Sequence, residues 1–143
     1  MRSKPGFTLI EVVTIVAILG IVFLVAYPRF TDVKKLSRTT SRELVTNLRN
    51  TRSKAISTGN AHYLKLLPSS PYTEYKIFDN SDTQVGETQQ IPTGVVCTAS
   101  TDTFLFNYLG SCNNGINGTI TLVGEGVTCT VSIVGFTGRA FFP

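Results

Sequence analysis

The stretch KPGFTLIEVVTIVAILGIVFLVAY, Lys4 to Tyr27, decides how the rest of the chain is read. From Phe7 to Tyr27 it runs 21 residues with one ionisable side chain, Glu11. As a helix that run rises roughly 30 Å, about the hydrocarbon thickness of a bilayer. A lone carboxylate near the start of such a segment is costly in lipid, so it marks a functional position. The run exceeds the roughly 7–15-residue apolar core of a secretory signal. No small-x-small cleavage site follows it; Tyr27-Pro28-Arg29 leads into a polar segment instead. The plain reading is an uncleaved anchor. Arg2 and Lys4 favour a cytoplasmic N-terminus, while Arg29, Lys34 and Lys35 pull the other way, so charge leaves the orientation open.

Outward from this stretch the charge is unevenly spread. The 143 residues carry a formal net charge of +4, and only 15% are charged. Residues 29–54 hold eight Lys/Arg against Asp32 and Glu43, a local +6. Residues 55–143 hold Lys65, Lys76 and Arg139 against six acids, a local −3. Basic character therefore sits just beyond the apolar segment, and the distal part is mildly acidic. Plentiful Gly, Thr, Ser and Asn with few charges fit a secreted β-rich domain better than a cytosolic enzyme.

Val33, Leu36, Thr40, Leu44, Leu48, Ala55 and Ile56 fall at helical spacings or multiples of them, which gives one apolar face. Lys34, Lys35, Arg38, Arg42, Arg49 and Arg52 lie mostly elsewhere. Gly59-Asn60 is a stop signal. The pattern predicts helix from about Thr8 to Thr58, bent at Pro28, where a backbone donor is lost and the ring clashes with the preceding turn. The basic face suits solvent, anionic headgroups or nucleic-acid phosphates. No aromatic residue interleaves with it from Val33 to Asn60, which weakens a single-strand stacking site.

From Ala61 the pattern becomes short strands and turns. His62–Leu67, Tyr72–Phe78, 95–97, Thr103–Tyr108, Thr119–Val123, Val127–Val134 and 138–142 read as strands, and 79–90 as an exposed connection. Gly124-Glu125-Gly126 marks a hairpin. In the strand from Val127, Cys129 falls on the apolar face with Val131 and Ile133 and reads as core. Cys97 and Cys112 lie nearer loop ends and are the candidate disulfide, with other pairings open. The gaps between cysteines do not resemble metal pairs, and His62 is alone, so no metal site is expected. No phosphate loop or nucleophile–base arrangement is present either, so neither catalysis nor a cofactor is expected.

Two motifs carry a resemblance. Lys4-Pro5-Gly6-Phe7-Thr8-Leu9-Ile10-Glu11 resembles the leader and cleavage region of type IV prepilins and type II secretion pseudopilins. That resemblance implies cleavage between Gly6 and Phe7 by a prepilin peptidase on the cytoplasmic side, and methylation of the new amino terminus. Glu11 then becomes the fifth residue of the mature chain, where a neighbour's amino terminus could pair with it and fix register. Pro28 falls where many pilins carry a kinking proline. Ser41–Asn60, with Arg52-Ser53-Lys54-Ala55-Ile56, resembles the helix end of GspH/FimT-type minor pilins. So does the tail through Phe104-Leu105-Phe106, Gly110, Gly118–Leu122 and Gly138-Arg139.

The implied fold is α+β, a pilin fold: a long N-terminal helix packed on a C-terminal antiparallel β-sandwich or sheet domain. The implied divisions are a leader at 1–6, a transmembrane and assembly helix at 7–28, an amphipathic helix at 29–60 and a β-rich domain at 61–143. The implied role is a structural subunit of a pilus, in its initiation or tip complex, or of a secretion pseudopilus. Its partners would be the prepilin peptidase, other pilin or pseudopilin subunits, the inner-membrane assembly platform and the lipid bilayer. The precursor would sit in a bacterial inner membrane with its C-terminal domain outside the cytoplasm. The alternative role is a DNA-binding minor pilin for DNA uptake in natural transformation, with Arg139 as the candidate contact, since some members bind DNA through a basic Gly-Arg-x-Arg tail. Here the tail is Gly138-Arg139-Ala140-Phe141; the second Arg is absent and the distal domain is net negative, which counts against nucleic acid as a partner.

Overall fold

The computed structural model describes residues 8–26, 33–124 and 126–143. Gly6, Phe7 and Pro28 lie outside them, and with them the expected cleavage site and helix bend. The chain divides into two compact units, Met1–Asp32 and Val33–Pro143.

In the first unit, helix α1 spans Leu9–Ala26. From Leu9 to Val22 its apolar side chains are exposed: Leu9 is 83% and Ile10 73% accessible. Thr14 donates its hydroxyl to the Ile10 carbonyl at 2.7 Å, so this polar atom is satisfied within the helix. Among the described residues no helix is long and apolar enough to cross a membrane. The 18 residues of α1 rise about 27 Å, just short of a hydrocarbon core of about 30 Å. The apolar run in the sequence continues to Phe7 and Tyr27, outside the described residues.

The second unit opens with helix α2, Val33–Thr58, which Gly59 ends in the left-handed region at φ +68°. Eight strands follow: β1 His62–Leu67, β2 Glu74–Asp79, β3 Gln89–Gln90, β4 Val96–Ala99, β5 Thr103–Phe106, β6 Gly118–Gly124, β7 Val127–Val134 and β8 Arg139–Phe141. They form two antiparallel four-stranded sheets, in the orders β3-β2-β1-β5 and β4-β6-β7-β8. The chain enters the second sheet at β4, returns to the first for β5, then completes the second. The expected connection at 79–90 contains the short edge strand β3 and is otherwise irregular.

Helix α2 packs on both sheets, and its buried face is wider than its apolar residues suggest. Leu44, Val45, Leu48 and Ala55 are buried together with Ser37, Thr40, Ser41 and Thr51. Hydroxyls on this face bond back one turn: Thr40 to Leu36, Ser41 to Ser37 and Thr51 to Asn47, at 2.7–2.8 Å. These three hydroxyls are thus satisfied within the helix, Ser37 Oγ accepts from Cys129 Sγ of β7 at 3.9 Å, and the small side chains let the helix approach closely. Ile56, expected on the core face, is 46% exposed. Facing the helix are Leu64, Leu66, Phe104 and Phe106 of the first sheet and Ile120, Leu122, Val131 and Ile133 of the second, all essentially inaccessible. The strict in–out alternation of β1 and β6 puts these residues inward.

Leu48 sits fully buried at the centre of this packing. Leu48→Ala should destabilise the globular unit by about 2–5 kcal/mol, because the transfer and cavity costs add. Urea unfolding followed by circular dichroism checks this; a loss under about 1 kcal/mol would mean the helix is not held by this face.

Candidate assembly surfaces and helix locks

Glu11 lies in the first turn of α1, exposed. A carboxylate there complements the helix dipole, and it is the one ionisable group in the helix. Exposed as it is, it can accept a cation from outside the chain.

The GspH/FimT-like step of α2 acts as a lock. Arg52 donates its Nε to the Gly110 carbonyl at 3.0 Å, and Arg49 donates its Nε to the Ala140 carbonyl at 3.1 Å. Both guanidinium groups, read from sequence as part of a basic face, therefore tie the helix to a loop and to β8. Ala55 is fully buried. Gly110 and Gly138 have φ +84° and +61° and sit back to back. A Cβ on Gly138 would lie 1.9 Å from the Gly110 carbonyl oxygen, and one on Gly110 would lie 2.8 Å from Ile56. Arg52, Ile56, Gly110 and Gly138, far apart in sequence, thus meet at one point near the C-terminal end of α2. A second tie runs from Asn47 Nδ2 to the Tyr75 hydroxyl at 2.8 Å.

The cysteines are all buried and all free. Cys97 and Cys129 lie in one row across the second sheet, each paired with Leu122. Two strand spacings put their Cα atoms about 10 Å apart, beyond disulfide reach. Cys112 bridges Phe106, and its N–H donates to the Gly135 carbonyl at 2.6 Å. Gly135 is six residues past Cys129, about 20 Å along the strand direction. The expected Cys97–Cys112 bridge is therefore not formed, because the two residues sit at opposite ends of the sheet. Burial pushes the Cys97 thiol up to about 11 and the Cys112 thiol to about 12, so both stay protonated at neutral pH.

His62 is buried on β1, with Nδ1 3.2 Å from the Asn60 carbonyl. Asp79 folds its connection: its carboxylate accepts from the Ser81 and Thr83 N–H groups at 2.8 and 2.9 Å, which holds it below the usual carboxylate range. Arg139 is exposed on β8, Ala140 points into the core, and Phe141 faces out at 39% accessibility. The outward face of β8 thus carries one cation, where the tail it was compared with has two. Among the described residues no group of His, Cys, Asp or Glu is placed to hold a metal.

Residues 1–27 match the prokaryotic N-terminal methylation motif. The resemblance read in Lys4–Glu11 therefore holds at the start of the chain. The fold carries the rest. The type IV minor pilin FimU of Pseudomonas aeruginosa, strain PAO1, is similar in two crystal forms. One gives a TM-score of 0.63 at 17% identity, covering 74% of this chain and 91% of FimU. The other gives 0.66 at 18%, covering 80% and 92%. The minor pseudopilin EpsH of the Vibrio cholerae type 2 secretion system gives 0.60 at 8% identity, covering 75% of this chain and 95% of EpsH. No curated protein sequence matches the chain. The fold is that of minor pilins and pseudopilins, α+β with the helix on antiparallel sheets.

Gly138→Ala should cost about 2 kcal/mol or more, since it combines a strained φ with a backbone clash; thermal unfolding measures it. Thiol titration tests the cysteines. In the native chain at pH 7 Cys97 and Cys112 should resist a maleimide, and the unreduced chain in denaturant should label at three sites, whereas a native bridge would leave one.

Proposed function

We propose that this chain is a minor pilin or pseudopilin, a structural subunit that assembles through its N-terminal helix into a type IV pilus or a type II secretion pseudopilus. The observation that carries this reading is the methylation motif at residues 1–27 preceding a FimU- and EpsH-like fold. A prepilin peptidase cuts between Gly6 and Phe7 and methylates Phe7. Before cleavage, the segment from Phe7 to Pro28 anchors the precursor in the inner membrane, with the globular unit outside the cytoplasm. The assembly platform then extracts it into the filament, in the initiation or tip complex of a pilus or in its secretion counterpart.

The physical argument centres on Glu11. The exposed apolar surface of α1 suits lipid or the packed interior of a helical filament alike, so it gives affinity without direction. A single carboxylate on that surface gives direction. In low dielectric it is stabilised only where a cation meets it, and the new amino group at Phe7 of a neighbouring copy supplies one. Desolvation offsets much of the attraction, so the pair specifies axial register more than it adds strength.

Mass spectrometry of the protein from cells with active peptidase should find an N-terminus at Phe7 bearing a methyl group; a mature chain starting at Met1 would contradict the reading. Glu11→Ala should leave membrane insertion unchanged and abolish recovery of the subunit in sheared filaments. Normal recovery would remove the register argument.

A further inference from the structure

Two grooves run along opposite flanks of α2, and they differ in charge. On the flank beside β7, Arg38, Arg42 and Arg49 form one row, bounded by Thr128, Thr130 and Phe142. Spacings of four and seven residues keep them in line, about 6 and 10 Å apart along the axis. Among the described residues the ion pair formed is Lys76 with Glu74, so neither Arg38 nor Arg42 meets a carboxylate. Glu43, the one acid of α2, acts on Tyr75 across the other flank.

On that other flank, Asn47, Asn50 and Lys54 face Val85, Gly86 and Glu87 of the connection between β2 and β3. This connection carries Asp79, Asp82 and Glu87, and no Lys or Arg occurs between Lys76 and Arg139. Asp82 and Glu87 are exposed. The Tyr63 hydroxyl is pushed up to about 12, first by its hydrogen bond to Asp82, then by desolvation, and last by the charges of Asp82 and Asp79. Asp79 holds the connection in a fixed turn through Ser81 and Thr83. The arginine row and the acidic connection, which Lys54 faces from the helix, are thus both preformed on opposite flanks of α2.

We infer that the acidic connection 79–87 of a second copy of this chain docks in the Arg38–Arg42–Arg49 groove, joining neighbouring globular units flank to flank. The inference rests on the filament reading above. Because the two surfaces differ, the contact is heterologous, and a docked pair leaves one surface of each kind free. Exposed charge pairs of this kind are individually weak and are screened beyond about 8–10 Å. They set orientation and partner choice, while α1 supplies the apolar surface that holds.

The test uses the full chain in membranes, with two differently tagged copies expressed together. One carries Thr46→Cys, at the rim of the basic groove; the other carries Ser81→Cys, in the acidic connection. The native thiols are buried and stay silent. Oxidation should crosslink the 46–81 pair and neither the 46–46 nor the 81–81 pair. Adding Arg42→Glu to the first copy should lower the yield about tenfold, the scale of one coupled charge pair. Glu87→Lys in the second copy should restore it. No 46–81 crosslink in copies that are normally cleaved at Gly6 and recovered in filaments would overturn the docking and leave the assembly reading intact. Copies that are neither cleaved nor assembled would overturn the filament reading, and the docking that rests on it. Duplex or single-stranded DNA that binds the groove and competes away the crosslink, with no rescue by Glu87→Lys, would assign the arginines to a polyanion instead.

Discussion

The globular unit depends on how close α2 can come to two sheets at once. A helix faced only with Leu and Ile would stand off from one sheet or the other, since each large side chain sets a spacing. Here Leu44 and Leu48 fill the centre, while Ser37, Thr40, Ser41, Thr51 and Ala55 thin the helix surface where the sheets converge. The hydroxyls cost little because three of them turn back onto their own helix. Close approach then brings the backbone of Gly110 and β8 within reach of Arg52 and Arg49, whose Nε donors satisfy the carbonyls of the buried residues Gly110 and Ala140. Packing comes first, and the polar locks follow from it.

That order explains what was legible in the sequence. β1 and β7 were readable to the residue, because each alternates cleanly between core and surface. The hairpin between β6 and β7 was readable from its glycines, and Cys129 as a core residue from its register. The width of the helix's buried face was not, because hydroxyl residues score as polar until one knows that their hydrogen bonds close locally. The roles of Arg49 and Arg52 were hidden for a related reason. Their acceptors are backbone carbonyls 91 and 58 residues away, and backbone leaves no mark in composition. The cysteines misled because loop-end position in sequence says nothing of which end of a sheet a residue occupies. Cys97 and Cys112 are close in number but about 20 Å apart along the strands.

The aromatic near the basic groove shows the same limit from the other side. Within α2 no aromatic residue interleaves with the arginines, so a stacking surface was not expected there. The last strand then lays Phe142 beside Arg42 and Val45. Phe142 is partly buried against the core, which makes it first a packing residue. Its ring also forms one wall of the groove that Arg38 and Arg42 share with β7. A fold can thus complete a surface with residues that local sequence patterns do not connect.

Charge is segregated across this helix with few compensating pairs, and that has a cost within one subunit. Arg38 and Arg42 stand one turn apart on one flank, and Asp79, Asp82 and Glu87 gather on the far side, where Lys54 is the cation that faces Glu87. Exposure and salt reduce the penalty to a fraction of a kcal/mol per pair, on the order of what surface pairs contribute. A free-standing domain would gain by interspersing the signs. A subunit that meets others side by side gains more by keeping them apart, because the repulsion is relieved only when opposite flanks meet. Like flanks brought together would add to it. The separation of charge thus acts against wrong neighbours as much as for the right one, while the apolar surface of α1 can discriminate only through Glu11.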